Sequence, residues 1–483
     1  MPHLDITELD ATSLAHLIRH KQISPVEVTQ ACLARMAALD PQLQAFCTPT
    51  PELALSQAHA AERAVMRGEP LGPLAGVPVA IKDLILTAGI RTTSSSYAYE
   101  HFIPEEDDIA VARLKAAGAI ILGKTNASEF GYSASGHGPL FPPTRNPWNP
   151  ALTPGGSSAG SGAALAAGMC PLALGSDGGG SIRIPAALCG VFGMKASMGR
   201  VPVYPSCRDE RYPGVSSWET LEHVGPMTRT VADAALMLAV MAGPDQRDRH
   251  SLPAGDTDWL AAPHGQLKGL RIGYSADWGY APVDPQVRAV VEAAVRVFED
   301  ELGCIVEAAD PGFADPQDAF AALIALDSDL TGMRQMMDTL GERMSPHLRA
   351  FLQRRWTAEE FTDALRVRKQ VANSLARYMQ RYDLLLTPTS PVAAFPVEHH
   401  GPASIAGRSV SPGQWLAFCA PLNLSGQPAA SVPAGFTADG LPVGLQIVGR
   451  HLDDALVLRA SAAFEAVRPW RDAWPTLVTH LNR

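Results

Sequence analysis

The sequence predicts an α/β protein, a single domain built on a large twisted mixed β-sheet flanked by α-helices. Short β-branched apolar runs alternate with segments of helical period, the order expected of crossover units on a partly parallel sheet. Residues 119–122 (Ala-Ile-Ile-Leu) are apolar throughout, as in a strand buried on both faces. A crude prior of about 150 residues per domain would divide 483 residues into roughly three. No internal repeat and no convincing linker supports such a division.

Ser24-Pro25-Val26-Glu27 sets a capping hydroxyl, a proline at the first helical position and a glutamate three after the cap, opening a helix to about Leu39. A second helix is expected over 52–67, and the β-branched stretch 76–83 reads as a strand with Lys82 near its end. Ile109, Ala112, Leu114 and Ala116 carry helical spacing over 108–117, which stops at Gly118 and leads into the strand 119–122. Residues 152–185 are rich in Gly, Ser and Ala, yet the apolar content of 163–167 and 172–174 marks packed backbone. A second α/β stretch starts with a strand at 270–274 and a helix over 284–302, with Val287, Val290, Val291, Ala294, Val297 and Phe298 on one side. Mostly helical sequence then runs to Arg381, and strands return at 384–386, 430–432 and 443–448. The expected organisation is an N-terminal helical segment (1–70), a core (71–250), a more variable helical middle (251–400) and a C-terminal return to the sheet (401–483).

Hydrophobic residues make up 46% and charged residues 18%, with 41 Gly and 40 Pro, which fits a globular chain with many tight turns. The net charge of −10 gives no reason to expect nucleic acid or an anionic membrane as partner. No apolar run approaches the roughly 20 residues of a membrane span. Seven scattered Cys without a CxxC pair favour free thiols in a reducing compartment. The N-terminal MPHLDITELD lacks the basic-then-apolar order of a secretory signal. A cytoplasmic protein, monomer or homodimer, is expected.

Two serine-containing glycine loops lie close in sequence: 155–161, with Ser157 and Ser158, and 175–183, reading Gly-Ser176-Asp177-Gly178-Gly179-Gly180-Ser181-Ile-Arg183. Neither has the strand-loop-helix context of a dinucleotide or phosphate signature. Three consecutive glycines let several N–H groups converge on one point, and a following helix start adds its positive end. An acyl-transfer oxyanion needs that donor arrangement, with a hydroxyl at the loop's end. A glycine turn capped by Ser181 is the equally weighted alternative.

LAGVPVAIKDLI, TPGGSSAGSGAALAAG and LALGSDGGGSIRIPAALCGVFGMK resemble the amidase signature family, as do GKTNASEFG, VGPMTRTVADAALML, YDLLLTPTSP and GLPVGLQIVG. The 24 positions from Ser157 to Ser181 match the family's interval between its two catalytic serines. The similarity spans most of residues 10–465 and is weakest over 250–380. Ser176 and Gly178 depart from the pattern, standing where threonine and a larger residue are common.

The resemblance implies the amidase signature fold and hydrolysis of amide C–N bonds without metal or cofactor. It assigns Ser181 as nucleophile, Lys82 as base and Ser157 as relay with a cis Gly156–Ser157 bond, and the N–H groups of Gly178, Gly179, Gly180 and Ser181 as oxyanion hole. None of the 14 His lies in a motif like a triad partner. An ammonium accepts no proton, so burial must lower the Lys82 pKa toward neutrality, and a neutral resting amine is expected. Ser158, Asp177 and Arg183 look like supporting residues, the last two near enough in sequence to pair. Gly131, Tyr132 and Ser133 align with acyl-pocket positions of the family.

Other classes fit less well. Residues 118–125 satisfy GxxxxGK[ST], but the four residues between the glycines should be the strand itself, whereas a phosphate loop follows its strand. Glu398-His399-His400 prompts a metal hydrolase, but there is no HExxH and the stretch reads as a solvated loop. A noncatalytic scaffold would not need Lys82, Ser157 and Ser181 together. Within the family, the glutamine-using subunit of tRNA-dependent amidotransferases carries an SRFD-like segment and an acidic residue before its NLxG motif. Here Ser328-Asp-Leu-Thr331 and Leu416 stand in those places. A small-molecule aryl or alkyl amide is the expected substrate, with esters and carbamates (urethanes) open to the same chemistry. Trp415, Leu416 and Phe418 are placed between pocket lining and core packing.

Overall fold

In the computed structural model, which describes residues 5–480, the apolar runs pair into strands. The first four residues of the N-terminal stretch MPHLDITELD, and residues 481–483, lie outside this range. The strands are β1 (Phe46–Pro49), β2 (Pro78–Lys82), β3 (Ile120–Thr125), β4 (Leu172–Ser176), β5 (Phe192–Lys195), β6 (Val224–Thr228), β7 (Arg271–Tyr274), β8 (Ile305–Ala308), β9 (Leu384–Pro388), β10 (Ser404–Ile405), β11 (Arg408–Ser409), β12 (Ala429–Phe436) and β13 (Pro442–Gly449). Eleven of them form one sheet in the order β1-β3-β2-β4-β6-β5-β12-β13-β9-β7-β8, while β10 and β11 make a separate hairpin. β2 runs parallel to β3 and β4, and β7 parallel to β8 and β9. The strands between these two wings pair antiparallel. The mixed α/β sheet expected from the sequence is thus present.

Strands β2 and β4 position the site, and their side chains explain how. Alternate residues of a strand face opposite sides. Val79, Ile81, Leu172 and Leu174 enter one apolar layer, and Ala80 and Ala173 enter the other. That second layer includes the helix Ala159–Ala166, all of whose residues are buried. Small residues on both surfaces let this helix lie close against the sheet. Its N-terminal turn therefore carries Ser157 and Ser158 to the ends of β2 and β4, where Ser158 Oγ donates to Ser176 O at 3.2 Å.

Local signals hold where one helix or strand decides the outcome. The Ser24 capping box forms as expected, with Ser24 Oγ accepting from Val26 N at 2.9 Å and Glu27 Oε2 from Ser24 N at 2.8 Å. That helix ends at Leu43 rather than near Leu39, because Pro41 in its last turn removes only its own N–H. The helix Pro285–Asp300 is capped by Asp284 and buries Val287, Val291, Ala294, Val297 and Phe298. The hairpin β10–β11 was not expected. Its two turn residues, Ala406 and Gly407, both have positive φ (49° and 75°), and alanine gives no warning of that conformation.

Candidate active site

Because β2 and β4 are parallel neighbours, their carboxyl ends, Lys82 and Ser176, open on one side of the sheet, where α/β folds place ligands. Lys82 is buried, with Nζ 2.7 Å from Ser157 Oγ, 2.8 Å from Ser176 Oγ and 3.2 Å from Ser176 O. A neutral amine fits this set of partners: two N–H bonds serve the Ser176 oxygens, and the lone pair receives the Ser157 hydroxyl proton. Burial lowers the Lys82 pKa to about 8, while the negative charges of Glu222 and Asp177 work against that fall. Burial thus moves the amine in the direction that the expected neutral base requires.

The Gly156–Ser157 bond is cis, as the resemblance implied. Ser181, with 9% of its surface exposed, lines the same cavity as Ser157, Ser176 and Glu222. Ser158 N donates to Ser181 O at 3.2 Å, which ties the two serine loops together. Among the described residues the hydroxyls of Ser157 and Ser181 make no hydrogen bond to each other, so direct contact in this constellation is confined to the Lys82–Ser157 half.

Asp177 and Arg183 pair as expected, in a bidentate contact with both N–O distances 2.9 Å and both side chains fully buried. Two residues that sequence spacing did not indicate complete the network. Arg183 donates to Gln446 Oε1 and Asn423 Oδ1, both at 2.7 Å, and Asn423 Nδ2 donates to Asp177 Oδ1 at 2.9 Å. Burial pushes the Asp177 carboxyl up, but Arg183, Lys195 and Asn423 together hold it well below the usual carboxylate range.

The same carboxylate narrows the set of possible oxyanion donors. Gly180 N donates to Asp177 Oδ1 at 2.7 Å, so the Gly180 N–H is already committed and is corrected out of the expected four. Among the described residues, no acceptor meets the N–H groups of Gly178, Gly179 and Ser181. Gly180 has φ +120°, and a Cβ there would lie 2.6 Å from Cys419 Cβ, so its place in the loop requires glycine.

Ser181 also borders a second, larger cleft that is partly open to solvent. Gly131, Tyr132 and Ser133 line it, together with Trp218, Phe320 and Phe351. Trp415 and Leu416 also reach it, whereas Phe418 is fully buried and stacks on Trp278. Tyr132 OH and Ser328 Oγ are 2.5 Å apart, which joins the variable helical middle to the cleft wall. His399 is exposed, but His400 lines the cleft beside His347 and packs against His137, so the solvated-loop reading is corrected for His400. Among the described residues no group of three or more His, Cys, Asp and Glu is arranged to hold a metal ion.

Residues 118–125 do not form a phosphate loop. They run into β3, and the buried Lys124 Nζ donates to Ile85 O and, at 2.8 Å, to Thr87 Oγ1. No helix among the described residues is long and apolar enough to cross a membrane. The seven cysteines are unpaired.

Comparison with known proteins shows the family. Residues 27–458 match the family model described as Amidase. An acylamidase of Rhodococcus erythropolis is 40% identical over 97% of this chain and 97% of its own. A glutamyl-tRNA(Gln) amidotransferase subunit of Chloroflexus aggregans is 38% identical over 94% of this chain and 96% of its own. Among solved structures, a bacterial aryl acylamidase belonging to the amidase signature enzymes superposes with a TM-score of 0.89 at 32% identity, covering 98% of each chain.

Proposed function

Because the chain belongs to the amidase signature family, we propose that it is an amide hydrolase working through a Ser181 acyl-enzyme, with Lys82 as base and Ser157 as relay. The observation that carries this reading is the buried Lys82 Nζ 2.7 Å from Ser157 Oγ, with Ser157 lining the same cavity as Ser181. In acylation Lys82 Nζ takes the Ser157 proton, Ser157 Oγ takes the Ser181 proton, and Ser181 Oγ bonds to the carbonyl carbon. The carbonyl oxygen becomes an anion and is met by the N–H groups of Gly178, Gly179 and Ser181. When the C–N bond breaks, Ser157 gives a proton to the departing nitrogen and recovers one from Lys82. Water then attacks the ester through the same relay, releasing the acid and free Ser181. All proton transfers in this cycle use these three side chains.

The lining of the larger cleft supports an uncharged aryl or alkyl acyl group. No Asp, Glu, Lys or Arg is among its lining residues, and rings of Tyr132, Trp218, Phe320 and Phe351 supply apolar surface. Free glutamine would bring an ammonium and a carboxylate, each costly to desolvate without a partner. The identity to the amidotransferase protein of Chloroflexus aggregans favours glutamine hydrolysis as the second reading, and the uncharged cleft weighs against it. Esters and carbamates present the same carbonyl and fall within the proposed range.

The test offers the purified protein an anilide, a primary amide, an ester and a carbamate of one aryl acid, and free glutamine. Turnover within the aryl series and none of glutamine is expected; glutamine as the sole substrate would overturn the substrate reading. Ser181→Ala is expected to abolish labelling by serine-directed covalent reagents with circular dichroism unchanged. Retained labelling removes Ser181 from its role.

A further inference from the structure

A carboxylate shares the cavity of Ser157, Ser176 and Ser181, and no step of the proposed cycle uses it. Strand register brings Glu222 there. Antiparallel pairing sets Ser176 opposite Val224. One position further out, Asp177 N donates to His223 O at 2.7 Å and His223 N to Asp177 O at 3.1 Å. Gly178 and Glu222 are the next pair, and Glu222 N closes a turn by donating to Trp218 O at 2.8 Å. A Cβ on Gly178 would lie 2.7 Å from both Glu222 Oε2 and Trp218 Cε3, so any larger residue displaces the carboxylate or the indole. Ser176 and Glu222 line one cavity, and Ser176 Oγ lies 2.8 Å from Lys82 Nζ. The carboxylate thus sits on the side of Ser176 from which Lys82 is approached, with Ser157 beside both. The two positions where the sequence departs from the family pattern, Ser176 and Gly178, are the two that build this approach.

We propose that Glu222 is a positioning residue for the reaction: from the cavity that Ser157, Ser176 and Ser181 line, its carboxylate favours the protonated form of Lys82 and stabilises the ammonium that forms during acylation. The proposal rests on the reading of Lys82 as base. When Lys82 accepts its proton, positive charge appears on a fully buried side chain, where a nearby anion acts far more strongly than in bulk solvent. The same anion makes the amine harder to free beforehand.

The charged and titratable groups around this pair are few. Lys82 faces Glu222 and Asp177; Glu222 faces Lys82, Asp177 and Arg208, with Cys207 also nearby. Asp177 is committed to Arg183 and Asn423. Of the two carboxylates that act on Lys82, Glu222 has the larger effect and is the one outside that network. Burial pushes the Glu222 carboxyl up, and Lys82 pulls it down.

Glu222→Gln keeps the side-chain length but removes the charge. The readout is the pH profile of kcat/KM, with active sites counted by a serine reagent. The midpoint of the acid limb is expected to move down by about one pH unit. The plateau above it is expected to fall by about three- to tenfold, because the freed amine is a weaker base. Damage to packing alone lowers the plateau and leaves the midpoint in place, so an unmoved midpoint overturns the proposal. Glu222→Asp keeps the charge and is expected to hold the wild-type midpoint; a shift as large as that of the Gln variant also overturns it. If Lys82→Met leaves the wild-type acid limb intact, the base reading itself has failed, which separates the two failures.

Discussion

Replacing Asp177 by Asn removes a charge from a site where every neighbour donates. The carboxylate accepts from Gly180 N at 2.7 Å, Ile182 N at 3.2 Å, Arg183 N at 3.4 Å, Arg183 Nε and Nη2 at 2.9 Å each, and Asn423 Nδ2 at 2.9 Å. An NH2 in place of either oxygen meets only donors, and the fully buried Arg183 loses its counter-charge. Breaking a buried ion pair by removing one partner costs about 3–5 kcal/mol. With a urea m-value of about 3 kcal/mol/M, the upper end for small proteins, the unfolding midpoint falls by about 1–1.7 M, and by less if m is larger. The loop also loses its anchor at Gly180, so the free N–H groups of Gly178, Gly179 and Ser181 are no longer held in place, and kcat is expected to fall about 10²–10³-fold. Urea unfolding followed by tryptophan fluorescence, with single-turnover acylation on the folded enzyme, measures both effects. Asp177→Asn/Arg183→Met, which removes both charges, is expected to recover part of the lost stability. A single variant with wild-type midpoint and wild-type kcat refutes the reasoning.

Two further outcomes are expected. Gly180→Ala strains a residue held at φ +120° and drives a methyl into Cys419, so it is expected to destabilise by about 1–3 kcal/mol in thermal or urea unfolding; an unchanged transition contradicts the loop geometry. ATP and GTP, titrated calorimetrically, are expected to give no binding heat because Lys124 is turned into the interior, and a saturating isotherm would contradict that placement.

The parts of the site that were legible in the sequence are those fixed by local rules. Lys82 at the end of β2 follows from a short β-branched run, and Asp177 with Arg183 from six positions of separation across a glycine turn. Asn423 and Gln446 lie 240 and 263 positions from Arg183, so no local spacing announces them. Glu222 reaches Gly178 through antiparallel register across β4 and β6, which a reading without strand pairs cannot supply. The commitment of the Gly180 N–H to Asp177 is likewise a matter of direction, since three glycines in a row allow many loop shapes. His400 read as part of a solvated loop because its partners, His137 and His347, are remote in the chain.

The most direct measurement is the pH dependence of Ser181 acylation in a single turnover, for the wild-type protein and Lys82→Met. A rate that climbs as the pH passes about 8, and that in the variant is about 10²–10⁴-fold lower with the climb gone, is the predicted result. An unchanged curve in the variant would contradict an amine acting through Ser157.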